Sequence, residues 1–199
     1  MSIATVDNTS KIVETVIPYA RKLFNTYGYK KTTVDEISSG LHISKKTLYS
    51  VFPSKKEILR ETIWRETVGI LHTFNDTIPS GCQSDKILLS LCRFIFTDRI
   101  KSGKNGFFWG LYVNDSDINS ASIEALQRVF IALYDDGSQK GFFKPMNSQF
   151  ATEIIVSILS TSVKNFHLSK NPVRMFNDAL SMIADAVAFK NRIVFDAMG

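Results

Sequence analysis

Thr33, Ser44 and Ser54 constrain this chain more than any other residues. Each is a hydroxyl residue followed at once by a short apolar-periodic run, so each reads as the cap of a new helix. Thr33-x-x-Glu36 and Ser54-x-x-Glu57 have capping-box spacing, in which the hydroxyl accepts from the third following amide and the carboxylate reaches back. Ser44 opens Lys45-Lys46-Thr47-Leu48. The stretch TTVDEISSGLHISKKTLYSVFPSKKEIL, from Thr32 to Leu59, therefore predicts two very short helices joined by a tight turn, then the start of a third helix. Val34, Ile37, Leu48 and Val51 are expected to face inward, and Phe52 is expected in the core.

The rest of the chain keeps helical period. Ile12, Val16, Ala20 and Phe24, with Leu23 alongside, make one stripe of a first helix. Pro18 lies inside that stripe and predicts a kink or a late start, and Gly28 predicts its end. The helix capped by Ser54 should run through Ile58, Leu59, Ile63, Ile70 and Leu71 to a loop at Pro79-Ser80-Gly81. Further helices are expected at 84–101, 106–114, 118–138, 148–168 and 172–195. Asn171 and Pro172 supply the N-cap and N1 signals of the last, and Gly137, Gly141 and Pro145 punctuate the connection before 148. The expectation is an all-α protein of about nine helices. An N-terminal three-helix helix-turn-helix domain would cover 1–56, and a larger helical domain 57–199.

Charge supports that division. The chain has 24 Lys+Arg and 19 Asp+Glu. Residues 1–60 hold 10 and 5 of these, leaving 14 and 14 beyond, so the whole excess of +5 lies in the first sixty residues. A basic module beside a neutral body suits a polyanion partner for the module alone. Cys82 and Cys92 have neither zinc-ligand nor disulfide-framework spacing and are expected as free thiols. The amino terminus lacks a basic segment followed by an apolar run, and Ile154 to Leu159 is too short to span a bilayer. A cytoplasmic protein with no membrane partner is expected.

A recognition helix puts its first turn against base edges in the major groove while flanking groups hold phosphates. Lys45, Lys46 and Thr47 occupy that turn, with donors suited to guanine O6/N7 and a methyl suited to thymine. Tyr49 follows on the outer side, where its hydroxyl could reach a phosphate. Thr32 and Thr33 open one helix, and Lys55 and Lys56 open another, at positions suited to phosphate. Ser44 and Thr33 have a second reading as caps alone, and either Lys55 or Lys56 could be an ordinary surface lysine.

With these residues in view, the segment resembles the N-terminal domain of TetR-family transcriptional regulators. The matching elements are Leu23-Phe24 with Gly28, Thr32-Thr33-Val34 with Ile37, and Ser44, Thr47-Leu48-Tyr49, Phe52 and Lys55. The resemblance covers residues 10 to 60. It implies DNA contacts from Thr33, Lys45, Lys46, Thr47, Tyr49 and Lys55, and duplex DNA as a partner. One departure stands out. Two residues before the recognition-helix serine, where the family has a glycine with positive φ, this chain has His42, and Gly40 is a candidate to relax the turn.

The resemblance also implies a small-molecule pocket among the middle helices and a homodimer through the last two. Trp64, His72, Phe96, Phe108, Trp109, Tyr112, Phe130 and Tyr134 are the candidate lining, suited to an apolar or aromatic effector, with a plain aromatic core as the alternative. Ile155, Leu159, Val163, Met175, Ala179, Met182, Ile183 and Ala186 are the candidate dimer face, with burial inside one subunit as its alternative. No catalytic, cofactor or metal motif is present: there is no P-loop, G-x-S-x-G or H-E-x-x-H, and Asp115-x-Asp117 reads as a cap. The expected function is a ligand-released homodimeric repressor on a near-palindromic operator. The alternative is a DNA-bound architectural or protein-interaction module without a small-molecule ligand.

Overall fold

The computed structural model describes residues 3–102, 115–165 and 168–187. They form eight helices: α1 (Ile3–Tyr27), α2 (Val34–Gly40), α3 (Lys45–Val51), α4 (Lys55–Asn75), α5 (Ser84–Ser102), α6 (Ser116–Gln139), α7 (Ser148–Lys164) and α8 (Pro172–Val187). The short helix expected over 106–114 lies outside the described residues. The chain divides into two compact units, Met1–Glu66 and Thr67–Gly199, with the division inside α4 rather than after residue 56.

The first unit is α1, α2, α3 and the start of α4 around one small core. Val16, Ile17, Ala20, Ile37, Leu48, Phe52 and Ile58 are its buried centre. α1 begins well before Pro18 and passes through it. Pro18 is exposed, so the Glu14 carbonyl that loses its amide partner there is on the solvent side. Gly28, at φ +87°, ends α1 and donates its amide to the Phe24 carbonyl at 2.9 Å. Two ion pairs tie α1 to α4: Arg21 to Glu66 at 2.6 Å and Arg65 to Glu14 at 2.8 Å.

The caps form unequally. At Thr33 the box is complete, with the Glu36 amide donating to Oγ1 at 3.2 Å and the Thr33 amide donating to Glu36 Oε2 at 2.7 Å. At Ser54 only half forms. The Glu57 amide donates to Ser54 Oγ at 3.3 Å, but the Glu57 carboxylate accepts from Arg60 instead, at 3.0 Å.

The second unit packs α5 to α8, with the later part of α4, around a larger core. Leu88, Leu91, Ile95, Leu126, Phe130, Ile155, Leu159, Leu180 and Ile183 are all within it. Asp115 caps α6 through the amides of Asp117 and Ile118, and Asn171 caps α8 through the Arg174 amide at 3.0 Å. Gly137 belongs to α6 rather than to the connection after it. Its bare Cα receives the Phe143 ring, which would lie 2.2 Å from a Cβ placed there. Phe143 also stacks on Tyr134, whose hydroxyl donates to the Lys144 carbonyl at 2.5 Å. The Lys144 ammonium donates to the carbonyls of Asp185 and Ala186 of α8.

Candidate nucleic-acid interface

Ile37 and Leu48, both with no exposed surface, hold α2 and α3 on the small core, which leaves the outer side and the tip of α3 facing solvent. The turn between the two helices is a Schellman motif. The His42 amide donates to the Ser39 carbonyl at 3.1 Å and the Ile43 amide to the Ser38 carbonyl at 3.0 Å. That motif demands a left-handed residue at the position His42 holds, and His42 has φ 54°, the one positive φ outside glycine among the described residues. Gly40 serves a different purpose from relaxing the turn. It is the last helical residue of α2, and a Cβ there would sit 2.0 Å from the Tyr19 hydroxyl, so glycine is what lets α1 approach.

Ser44 caps α3 by accepting from the Thr47 amide at 3.0 Å, and the two hydroxyl oxygens are 2.8 Å apart. Lys45, Lys46 and Tyr49 are exposed, and Thr47 is half-buried. The Lys45 ammonium is ion-paired to Asp35 of α2. The hydrogen bond and charge of that carboxylate hold the ammonium above its usual range. Asp35 is a member of the site that sequence reasoning missed; its place in the first turn of α2 carries only an ordinary helix-start signal.

Two of the expected phosphate contacts have other partners. Thr32 is 1% exposed, and its hydroxyl donates to the Gly28 carbonyl at 3.0 Å. Lys55 donates to the carbonyls of Tyr29 and Thr32, both at 2.9 Å. Thr33 is exposed but engaged in its capping box, and Lys56 is half-buried at the start of α4. The structure thus brings Thr33, Ser44, Lys45, Lys46, Thr47, Tyr49 and Lys56 to the surface of the first unit and turns Thr32 and Lys55 inward.

In the second unit the described aromatic candidates pack as core. Phe96 stacks on Phe176 with ring centroids 3.7 Å apart, and Phe130 and Tyr134 are buried. His72 is exposed on α4, and Trp64 is half-buried in the first unit. Phe108, Trp109 and Tyr112 lie outside the described residues. A groove of about 650 Å³ lies along α7 and α8, with Ile158, Met175, Ala179 and Met182 among its apolar lining residues and Arg174 and Asp178 among its charged ones. Of the expected dimer face, Ile155, Leu159, Val163 and Ile183 have no exposed surface and belong to the unit's own core. Met182 is 60% exposed, while Met175 and Ala186 are half-buried and Ala179 nearly covered.

Among the described residues no group of His, Cys, Asp and Glu could hold a metal ion, and no helix is long and apolar enough to cross a membrane. A short helix pair with a basic exposed tip has the geometry of a helix-turn-helix unit. Residues 17–62 match the family model of bacterial regulatory proteins of the TetR family. That match covers less than a quarter of the chain and makes its N-terminal segment a helix-turn-helix of the TetR kind.

No curated protein matches the chain. Among solved structures the fold is similar to that of RolR in complex with resorcinol, at TM-score 0.65 and 16% identity, over 91% of this chain and 93% of that one. It is similar to Thermus thermophilus FadR, a TetR-family transcriptional repressor in complex with lauroyl-CoA, at TM-score 0.62 and 16% identity, over 94% and 98%. It is also similar to TylP, a TetR regulator from Streptomyces fradiae, at TM-score 0.54 and 15% identity, over 92% and 89%.

Proposed function

We propose that the protein is a homodimeric repressor that binds a near-palindromic operator and is released from it by a small apolar or aromatic effector. The observation that carries this reading is the exposed first turn of α3, where Lys45, Lys46 and Thr47 stand together on a helix fixed from behind by Leu48. Lys46 reads a base edge. Lys45, freed from Asp35 or steered by it, reads its neighbour. Tyr49 and Lys56 hold phosphates, and Ser44 and Thr33 keep their helix starts rigid enough for the contacts to be specific.

The dimer face is the α7–α8 groove. Ile158, Met175, Ala179 and Met182 supply its apolar area. Arg174 and Asp178 stand one turn apart on α8, so two copies related by a two-fold axis can pair each with the other reciprocally. The resorcinol and lauroyl-CoA held by two similar structures support a small-molecule effector here. Half-sites must lie about 34–36 Å apart for both copies of α3 to enter the groove, so a modest change in their separation would release DNA without unfolding.

The architectural reading has one observation in its favour: Phe96, Phe130 and Tyr134 are buried in the unit's core, with Phe96 stacked on Phe176. A thermal-shift screen of phenolic and acyl compounds separates the two readings. A compound that raises the melting temperature and also weakens DNA binding supports the effector. Compounds that shift neither across the set favour the architectural protein.

A further inference from the structure

We infer that Lys55 is a positioning residue of the DNA-reading unit, whose ammonium holds the peptide that starts α2, rather than a residue whose partner is phosphate. The inference rests on the DNA-binding reading above and departs from what the family resemblance implies for this position. Lys55 is the first residue of α4 and is half-buried. Its Nζ donates to the carbonyls of Tyr29 and Thr32, at 2.9 Å each, and lies 4.4 Å from the centroid of the Tyr29 ring. Tyr29 is itself 7% exposed and set edge-on against Phe24 of α1, with centroids 5.5 Å apart.

The peptide joining Thr32 to Thr33 is consequently held at both ends. Its carbonyl accepts from Lys55, and its N–H donates to the Glu36 carboxylate at 2.7 Å. An ammonium has three donors, and two are committed here to carbonyls while an aromatic face covers the cation. Charge-assisted bonds of this kind outlast neutral ones. The result is a strut from the first turn of α4 to the cap of α2, so that the start of α4 sets where α2, and through Ile37 and Leu48 also α3, meets the duplex.

The test uses the full chain with Lys55→Met and Lys55→Arg. Amide exchange of Glu36 and Ile37, which donate to Thr33, should quicken about tenfold in Lys55→Met, while Leu48 in α3 keeps its wild-type rate. Lys55→Arg, which keeps the donors, should restore most of that protection. On one fixed duplex, Lys55→Met should bind about fivefold to tenfold more weakly at every salt concentration, with the log–log salt slope unchanged. Lys46→Ala provides the contrast, with a slope lower by about one.

A Lys55→Met slope reduced by about one, with Glu36 and Ile37 exchange unchanged, would overturn the inference and return Lys55 to phosphate. Unchanged exchange and unchanged binding together would overturn it equally. If the wild type binds no duplex, the DNA-binding reading fails, and the exchange rates alone decide the role of Lys55. Should Lys55→Met not fold, Lys55→Gln is read by the same two measurements.

Discussion

His42 carries backbone strain at the centre of the DNA-reading turn. Its φ of 54° is a conformation that side chains with a Cβ adopt at a cost and glycine adopts freely. His42→Gly should therefore raise the stability of the first unit by about 0.5–1 kcal/mol in chemical denaturation; a loss of stability would mean that the imidazole makes a compensating contact. Gly40→Ala should do the opposite, costing about 1–3 kcal/mol, because the new methyl meets the Tyr19 ring. The two positions lie two residues apart, and only one was legible in sequence. The family pattern flags the need for positive φ at His42, whereas nothing local to Gly40 reveals a tyrosine from α1 packed over it. At Cys92, burial pushes the thiol up to about 12. Alkylation of the folded protein at about pH 8 should modify the half-buried Cys82 and spare Cys92 until the chain unfolds, as mass spectrometry of the labelled peptides would report.

Element by element, the helices whose starts were most readable are those that carry a cap in their own sequence. Thr33, Ser44, Asp115 and Asn171 all cap the helices their positions predict. What an apolar stripe buries itself against is not written in it. Ile155, Leu159 and Val163 show helical period whether they face their own subunit or another, and the structure gives them to their own core. Lys55 shows the same limit for polar groups, since its partners are backbone carbonyls, which have no sequence signature. For α8, the proposed dimer face makes a specific prediction. Arg174→Asp and Asp178→Arg should each weaken dimerisation by about tenfold or more, and the double exchange should restore it. Sedimentation equilibrium reads this directly, and equal association by all four proteins would remove these two residues from the interface.

At the scale of the whole molecule, α4 is the one helix that contributes to both compact units, with the division falling inside it. The proposed effector response needs such an element, because α4 runs continuously from one unit into the other, and Lys55 stands where that helix begins. The excess of positive charge is confined to the first sixty residues, so the proposed DNA reading and the proposed effector response fall to different parts of one chain.

The proposed function stands on sequence-specific reading of duplex DNA by a two-fold dimer. Selection of bound duplexes from a random-sequence pool, with Lys46→Ala carried in parallel, tests it most directly. The wild type should enrich an inverted repeat, with half-sites about one helical turn apart, and the variant should lose preference at one base in each half. Enrichment of no motif, with binding that fades uniformly as salt rises, would contradict it and leave α3 a phosphate-binding surface alone.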